Sequence, residues 1–331
     1  MKALAIQSFG DPDVFQPLEV AIPQPGPGEV LIKMAATSVN PIDIKCRLAP
    51  RPITNDLPAI LGCDVSGTVV KLGSGASSHA LREGDRVYGC AGGVRGVGGS
   101  YAQYISADAR LLSPAPDFLG VREAAAMPLV TITAWEGLER AGVKEGDKVL
   151  IHGGAGGVGH IAIQLAKVRG AEVFTTVSSP VKEKIAADLG ADHTINYRNV
   201  GVADYVNEMT GGAGFDVVFD ATGGGNICSS FEATKVNGQV VTIVSQYEAD
   251  LSQMHFKGLS LHVVFMLINM LHNLNREKHG QIMREAAQLV HEGKLRPLLD
   301  QSNFSLDDIA DAHRHVESGK ATGKVVVDID V

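Results

Sequence analysis

Short apolar runs separated by turn residues characterise the first third of the chain. The runs read EVLIKMAATSV, VSGTVVKLG, DRVYGC and SYAQYISA, with turn signals such as PGPGE and REGD between them. Runs of this length that are rich in β-branched residues are typical of strands, and many short strands joined by turns are typical of sandwiches or barrels. Residues 1–124 are therefore predicted to form a partly open β-barrel.

The pattern changes between residues 125 and 265, where strand-like apolar runs alternate with segments of helical periodicity. KVLIHG (148–153) precedes VGHIAIQLAKVRG, and EVFTTVS (172–178) precedes PVKEKIAADLG; the later strand-like runs are DHTINY, FDVVFDATG (215–223) and GQVVTIVS (238–245). Such alternation predicts an α/β fold with a parallel sheet covered by helices. Residues 125–265 are expected to form a complete nucleotide-binding domain.

The last part of the chain, residues 266–331, is similar in pattern to the first. It holds a long helical pattern (REKHGQIMREAAQLVHEGKL), a shorter one (SLDDIADAHRHVESG) and a closing strand (KVVVDIDV). The simplest topology is a β-domain, 1–124 and 266–331, interrupted by the insertion at 125–265. The segment 246–280 stays open: its Met and Phe residues could line a substrate pocket, or form an edge strand and a core helix.

Five glycines fall within seven residues directly after the first strand of the insertion. Gly154, Gly156 and Gly159 have the spacing G-x-G-x-x-G. In dinucleotide-binding turns the first glycine permits the tight turn, the second lets the pyrophosphate approach the backbone, and the third lets helix and strand pack closely. Because the N–H groups of the following helix attract phosphate, the stretch predicts a dinucleotide site. The remaining residues of this turn are Ala155, Gly157 and Val158.

The end of the next strand indicates which dinucleotide is bound. Sites for NAD usually carry Asp or Glu there to hold the ribose 2′-hydroxyl, whereas this chain reads VSSPVK from Val177 to Lys182. A carboxylate would repel a 2′-phosphate, while the hydroxyls of Ser178 and Ser179 and the ammonium of Lys182 would bind it. We therefore predict NADPH as the cofactor. The alternative for Lys182 is a solvated lysine at the start of a helix.

Composition and charge exclude several classes of function. The 331 residues are 45% hydrophobic and 20% charged, which is typical of a globular enzyme, and a net charge of −8 argues against nucleic acid or an anionic membrane as partner. The N-terminus does not read as a secretory signal, and the apolar run at 259–271 is shorter than the roughly 20 residues of a membrane span. The four cysteines form no CxxC pair, which predicts ordinary thiols in a reducing cytoplasm.

Nearly end to end, the chain resembles the quinone oxidoreductase (zeta-crystallin-like) branch of the medium-chain dehydrogenase/reductase superfamily. The motifs that carry this resemblance are NPIDIK (40–45), GDRVYG (84–89), GGSYAQY (98–104), AAAMPLVTITAW (124–135), HGGAGGVG (152–159) and INYR (195–198). The resemblance implies a GroES-like catalytic domain interrupted by a Rossmann domain. It also implies a homodimer formed edge to edge through the Rossmann sheets.

Zinc alcohol dehydrogenases of the same superfamily differ from this chain at their metal ligands. Where they hold catalytic zinc with Cys, His and Cys, this chain has Asn40, Cys63 and Leu129. Asparagine is a poor zinc ligand and leucine is none, so the resemblance implies that a tetrahedral zinc site cannot be assembled. The lobe of four cysteines that holds structural zinc in those enzymes is also missing. No metal is expected.

Without a metal to polarise a carbonyl oxygen, the acceptor must already be electrophilic. The expected reaction is hydride transfer from NADPH to a quinone or to an activated C=C bond. The resemblance places Asn40, Asp43 and Thr133 around nicotinamide and substrate. Asn40 could donate to a developing oxyanion, Thr133 could bond the carboxamide or the acceptor, and Asp43 could orient a neighbour, relay a proton or cap a helix. Lys45, where many relatives have tyrosine, either stabilises an oxyanion or faces solvent.

The resemblance extends the cofactor site beyond the glycine turn. Tyr197 matches a position beside the 2′-phosphate, although a sheet-edge tyrosine is the alternative. Ser245 ends a strand near the nicotinamide, and Lys324, or Lys320, lies in a C-terminal segment that returns to the cofactor. Ala221 and Thr222 complete the set. They follow the fourth strand, at the sheet edge where open α/β folds bind ligands.

Two other functions stay open. One is an enone or 2-enoyl thioester reductase, which belongs to the same mechanistic class. The other is a protein that binds NADPH without catalysis, such as a crystallin or a redox sensor.

Overall fold

The computed structural model describes residues 1–76 and 81–329. The chain divides into two compact units, and the first boundary falls inside a helix, between Ile132 and Thr133. The first unit comprises Met1–Ile132, Leu267–Gly293 and Pro297–Val331, and the second comprises Thr133–Met266 and Lys294–Arg296. Residues 125–132, which the sequence pattern groups with the insertion, therefore belong to the first unit.

Short strands build the first unit, as the spacing of its apolar runs predicts. Numbered in chain order over both units, they are β1 (Lys2–Ile6), β2 (Phe15–Glu19), β3 (Glu29–Ser38), β4 (Ala59–Ile60), β5 (Asp64–Leu72), β6 (Arg86–Cys90), β7 (Tyr104–Asp108), β8 (Leu112–Pro114), β15 (Phe304–Ser305) and β16 (Val326–Asp328). One sheet has the order β2-β1-β4. The other has the order β15-β16-β3-β5-β6-β8, with β7 also paired to β3.

Strand β3 is at the centre of this unit because it pairs with three strands. It pairs with β5 along most of its length, with β7 over its first half, and with β16 at its end, where Ser38 lies opposite Val326. Its residues Val30, Ile32 and Met34 are buried. The predicted closing strand is thus present as β16, and its last two positions, 330 and 331, lie outside the described residues.

Helices and helical turns connect these strands. The helices are α1 (Pro41–Leu48), α2 (Val121–Ala125), α3 (Pro128–Arg140, which continues into the second unit), α9 (Ile268–Leu271), α10 (Glu277–His291) and α11 (Ile309–Glu317). Helix α1 begins where Pro41 supplies a preset backbone angle at the first helical position. The carboxylate of Asp43 accepts the backbone N–H of Asn40 at 2.8 Å and so stabilises the same helix start.

A parallel sheet covered by helices forms the second unit, as the alternating pattern predicts. Its strands are β9 (Lys148–His152), β10 (Glu172–Val177), β11 (His193–Asn196), β12 (Phe215–Asp220), β13 (Thr234–Thr242) and β14 (Ser260–Val263). The order is β11-β10-β9-β12-β13-β14, and each neighbouring pair is parallel. Counted within the unit this is 3-2-1-4-5-6, which is the strand order of Rossmann folds.

The helices of the second unit follow their strands. After α3 they are α4 (Gly159–Val168), α5 (Pro180–Asp188), α6 (Val202–Thr210), α7 (Asn226–Ala233) and α8 (Ser252–Lys257). One core cluster joins Leu150, Phe174, Phe215 and Val218, which come from three different strands. Burying each such side chain stabilises the fold by about 1.5–3 kcal/mol, so this cluster fixes the sheet that carries the glycine turn.

The structure favours one of the two interpretations for residues 246–280. Strand β14 pairs with β13 at the edge of the parallel sheet, and α9 follows it with Met270 fully buried. An edge strand followed by a core helix is therefore what the segment forms. Among the helices of the described residues, none combines the length and apolar character that crossing a bilayer would take.

Candidate functional site

The glycine turn joins β9 to α4, and its tight geometry depends on missing side chains. A Cβ on Gly154 would lie 2.1 Å from the Thr175 Oγ1, and a Cβ on Gly159 would lie 2.1 Å from the Gly153 carbonyl oxygen. Gly153 itself has φ +79°, a backbone conformation that favours glycine. These close approaches explain why the sequence repeats glycine at this point.

A cavity of about 570 Å³ opens beside this turn, within the second unit. Its walls come from the turn and from the residues that follow β10, β11 and β12, which end at the same edge of the sheet. In open α/β sheets this edge is where ligands bind. The predicted cofactor residues that line it are Ala155, Gly156, Ser178, Lys182, Tyr197, Ala221 and Thr222.

The part of the cavity after β10 suits a phosphate. Ser178 and Lys182 line it together with Tyr197, whose side chain is 54% exposed. Among the described residues that line the cavity, none is Asp or Glu. A dianionic 2′-phosphate would therefore meet an ammonium and hydroxyls and would not meet a carboxylate.

Ser179 and Ser245 are predicted cofactor residues that do not line this cavity. Ser179 is the N-cap of α5, where its Oγ accepts the backbone N–H of Lys182 at 3.4 Å and keeps its own proton to donate. Ser245 lies three residues beyond the end of β13. Of the residues predicted to hold a 2′-phosphate, Ser178, Lys182 and Tyr197 line the cavity.

The carboxylate of Asp220, at the end of β12, orders the backbone that lines the cavity. Its Oδ1 accepts the backbone N–H groups of Thr222 and Gly223 at 3.0 and 2.9 Å and the Thr222 hydroxyl at 2.8 Å. Asn226 also donates to this oxygen, at 3.1 Å. One buried acid thereby fixes the loop that carries Ala221 and Thr222.

The first unit holds a second group of predicted residues around the start of α1. Asn40 is fully buried, and its Nδ2 donates to Asp64 Oδ2 at 2.8 Å and to the Ser38 carbonyl at 3.5 Å. Its Oδ1 accepts from the ammonium of Lys324. Both ends of the carboxamide are engaged within the chain, and donation from Asn40 to an oxyanion stays a prediction. The side chain bridges an ammonium and a carboxylate.

Asp43 lies in the same group and is almost entirely buried. Besides the Asn40 backbone N–H, its carboxylate accepts from the Cys63 thiol at 3.5 Å. Burial raises the pKa of Asp43 to about 6, an effect that the nearby charge of Asp64 increases and the Asn40 hydrogen bond decreases. Helix capping is therefore observed, and the carboxyl takes up a proton at a higher pH than an exposed aspartate would.

The structure places Lys324 in this group, and its role in cofactor binding stays a prediction. Its side chain is 3% exposed, and its Nζ donates to the Val39 carbonyl at 3.1 Å and lies 3.7 Å from Asp64 Oδ2. The reason is the register of the chain: Lys324 is two residues before β16, which pairs antiparallel with the end of β3. That pairing sets Lys324 against the Val39–Asn40 backbone.

Thr133 and Lys45 complete the predicted set. Thr133 is buried in α3 and belongs to the second unit, whereas Asn40 and Asp43 belong to the first. Lys45 is partly buried in the last turn of α1, and its pKa is lowered first by burial and then by the charge of Arg51.

Comparison with known proteins agrees with this two-part architecture. Residues 26–117 match the alcohol dehydrogenase GroES-like domain, and residues 189–327 match a family described as zinc-binding dehydrogenase. The 2-methylene-furan-3-one reductase of Solanum lycopersicum is 36% identical over 99% of this chain and 79% of its own length. The chain belongs to the medium-chain dehydrogenase/reductase superfamily.

Further members of the superfamily support the predicted fold and branch. The chloroplastic NADPH-dependent alkenal/one oxidoreductase of Arabidopsis thaliana is 33% identical over 99% of this chain and 79% of its own length. An alcohol dehydrogenase superfamily protein from Novosphingobium aromaticivorans has a TM-score of 0.93 at 41% identity, with both chains covered completely. The Escherichia coli quinone oxidoreductase complexed with NADPH has a TM-score of 0.87 at 27% identity over 99% and 100% of the chains. The predicted GroES-like and Rossmann architecture is confirmed.

The name of one matching family raises the question whether this superfamily member could hold zinc. The residues at the expected ligand positions do not fit the metal. Asn40 is bonded to Asp64 and Lys324, and Leu129 contributes only its backbone N–H, which donates to Asp64 at 2.8 Å. An ammonium lies among the would-be ligands, where a second cation would be repelled. In residues 1–76 and 81–329, no group of three or more His, Cys, Asp or Glu side chains could hold a metal ion.

Two residues of the site were not identified from the sequence. Asp64 accepts hydrogen bonds from Ser38, Asn40 and the Leu129 backbone, and it directly follows Cys63, one of the positions compared with the zinc enzymes. His152 lines the cofactor cavity and directly precedes the glycines. Asp64 and His152 both adjoin residues that the sequence had singled out, Cys63 and the glycine turn. Their hydrogen-bond partners, however, lie in other segments of the chain.

Proposed function

We propose that this protein is an NADPH-dependent, zinc-independent oxidoreductase that transfers hydride to a quinone or to an activated C=C bond. The observation that carries the proposal is the cavity of the second unit. It combines a glycine turn with Ser178, Lys182 and Tyr197, and none of its described lining residues is acidic. NADPH-dependent oxidoreductases of quinones and of alkenals or alkenones are among its relatives.

The residues present fit NADPH. The backbone of the turn from Gly153 to Gly159 would hold the pyrophosphate, and Lys182, Ser178 and Tyr197 would hold the 2′-phosphate. When bound, NADPH supplies a hydride from its nicotinamide. The chain's own task is to orient the acceptor, exclude water and provide a proton.

In the first unit, we assign Asn40 to positioning and Asp43 to proton handling. Asn40 couples the charges of Lys324 and Asp64 and so fixes the start of α1. Asp43 lies in the same buried group, and with a pKa of about 6 its carboxyl holds a proton below that pH. Thr133 remains the proposed partner for the carboxamide or the acceptor oxygen.

A spectrophotometric screen tests the proposed reaction. NADPH oxidation at 340 nm is followed with 9,10-phenanthrenequinone, a medium-chain enone, an enoyl thioester and a saturated aldehyde, each repeated with NADH. We expect turnover of the quinone or the enone, slower rates with NADH, and no reaction of the saturated aldehyde. Turnover confined to the thioester favours the 2-enoyl thioester reductase. Tight NADPH binding without turnover of any acceptor favours the non-catalytic alternative.

Replacing Lys182 by alanine is expected to reduce the preference for NADPH. The ammonium would contact a 2′-phosphate that NADH lacks, so KM for NADPH should rise about tenfold or more while KM for NADH changes little. The matched control is Lys184→Ala, because Lys184 lies in the same helix and pairs with Asp188 at the surface. An unchanged ratio of the two KM values in the Lys182 variant would remove this lysine from the site.

We also propose that the protein is a cytoplasmic homodimer. Strand β14 leaves the outer edge of its sheet open to pairing, and Val263 at its end is 44% exposed. Sedimentation velocity of the full chain measures the assembly. The four cysteines are free thiols, which suits a reducing compartment.

A further inference from the structure

The imidazole of His152 is an unexplained polar group in the wall of the cofactor cavity. His152 is the last residue of β9, it is 3% exposed, and it lines the cavity beside Gly153, Ala155 and Gly156. Its Nε2 is buried and has no hydrogen-bond partner among the residues that the structure describes. A buried polar atom without a partner costs free energy unless a ligand or water satisfies it.

One hydroxyl lies against the ring. His152 Nδ1 lies 3.1 Å from Thr176 Oγ1, and the same hydroxyl oxygen accepts the Gly153 backbone N–H at 3.2 Å. A hydroxyl has one proton and two lone pairs, so this one can accept from Gly153 and also donate to Nδ1. In the tautomer that uses this donation, the imidazole N–H is at Nε2, and the inference below is made for that tautomer.

The ring is neutral under ordinary conditions. Burial lowers the pKa of His152 to about 4, and the nearby carboxylate of Asp220 opposes this shift only in part. The side chain is therefore a fixed, uncharged donor. It lies between the glycine turn and the end of β10, beside residues to which we have already assigned contacts with the dinucleotide.

We propose that His152 is a further binding residue of the dinucleotide, donating from Nε2 to an oxygen of a pyrophosphate or of the adjacent ribose. The inference rests on the proposed function and goes beyond it, because it assigns a contact to a residue outside the glycine turn and outside the 2′-phosphate group. Thr176 is the positioning residue, since its hydroxyl is the hydrogen-bond partner of Nδ1.

Calorimetric titration with fragments of the cofactor tests the proposal without any turnover. The ligands are 2′-phospho-ADP-ribose, which has the pyrophosphate, and 2′-AMP, which has the adenosine ribose and the 2′-phosphate but no pyrophosphate. For His152→Leu, a hydrogen bond lost to a charged oxygen is expected to raise the Kd of 2′-phospho-ADP-ribose roughly tenfold or more. His152→Gln keeps an N–H donor and should stay within about threefold of the unmodified chain.

Two further variants make the test specific. Thr176→Val keeps the imidazole but removes the hydroxyl that orients its proton, so it should weaken binding in the same direction by a smaller factor. His193→Leu is the matched control, because His193 lies on β11 outside the cavity and contacts Glu172 at 3.0 Å. Should His152→Leu fail to fold, as judged by thermal denaturation, Thr176→Val still decides the question.

Each outcome has a defined meaning. A loss with 2′-phospho-ADP-ribose alone assigns the contact to the pyrophosphate, and an equal loss with 2′-AMP assigns it to the ribose. If the unmodified chain binds both fragments and His152→Leu and Thr176→Val bind them equally well, the inference is overturned while the proposed function stands. If the unmodified chain binds neither fragment, the proposed function fails as well.

Discussion

Replacing Lys324 by methionine is expected to lower the free energy of unfolding by about 3–5 kcal/mol. Methionine fills a similar volume but leaves the buried carboxylate of Asp64 without its cation and Asn40 Oδ1 without its donor. Losing one member of a buried charge pair costs more than the pair contributes, because the remaining charge stays desolvated. Urea denaturation followed by tryptophan fluorescence and by circular dichroism measures the change.

A double substitution separates the charge effect from simple loss of packing. Asp64→Asn combined with Lys324→Met removes both charges, so the sum of the two single effects should exceed the effect of the double variant by about 1 kcal/mol or more. Lys320→Met is the control, since Lys320 is exposed in the same C-terminal segment. Equal stability of Lys324→Met and Lys320→Met would show that the buried ammonium contributes nothing to the fold.

The second large effect is expected when glycines of the turn are replaced one at a time. In Gly159→Ala the new Cβ would lie 2.1 Å from the Gly153 carbonyl oxygen and 2.8 Å from its carbon, so backbone must move. We expect this variant to lose about 3 kcal/mol of stability and to bind NADPH poorly, because the clash separates α4 from the turn. Thermal denaturation without cofactor measures the first effect, and NADPH fluorescence measures the second.

Gly156→Ala is the informative counterpart of this variant. Its Cβ would approach only the Gly153 carbonyl oxygen, at 3.1 Å, a tight contact that small shifts can relieve. Stability should then change by no more than about 1 kcal/mol, while NADPH affinity falls roughly tenfold because the methyl group occupies the path of the pyrophosphate. Two variants that lost stability equally, or a Gly156 variant with unchanged affinity, would contradict this division of roles.

Local patterns were sufficient to predict the second unit. Its strands are apolar runs bounded by turn residues, and three of its helices, α5, α6 and α7, begin after serine or glycine. The G-x-G-x-x-G spacing lies between a strand and a helix as the motif requires. The predicted bounds were least accurate at β13, which begins at Thr234 and not at Gly238. There the pairing with β12 shifts register, and Asn237 adopts φ +58°, a bend that an apolar-run criterion does not detect.

The contacts of the site residues that the sequence did not indicate depend on local capping or on distance. Ser179 was predicted to bind phosphate, and the structure adds a second role, because its Oγ accepts a backbone N–H of its own helix. Lys324 and Asn40 are 284 residues apart, and neither segment indicates that the other is its partner. Such contacts follow from the pairing of β16 with β3 and therefore become visible only in the folded chain.

That pairing of β3 with β16 has a consequence for how the protein is made. During synthesis on a ribosome, the core and the sheet of Thr133–Met266 would be complete before β16 has been made. At that time the end of β3 would still lack the strand that pairs with it. The inserted unit is then free to fold first, and the surrounding unit must keep an open strand edge until residues 326–328 have been synthesised. Premature termination near the C-terminus would thus release chains with a finished nucleotide cavity and an aggregation-prone barrel.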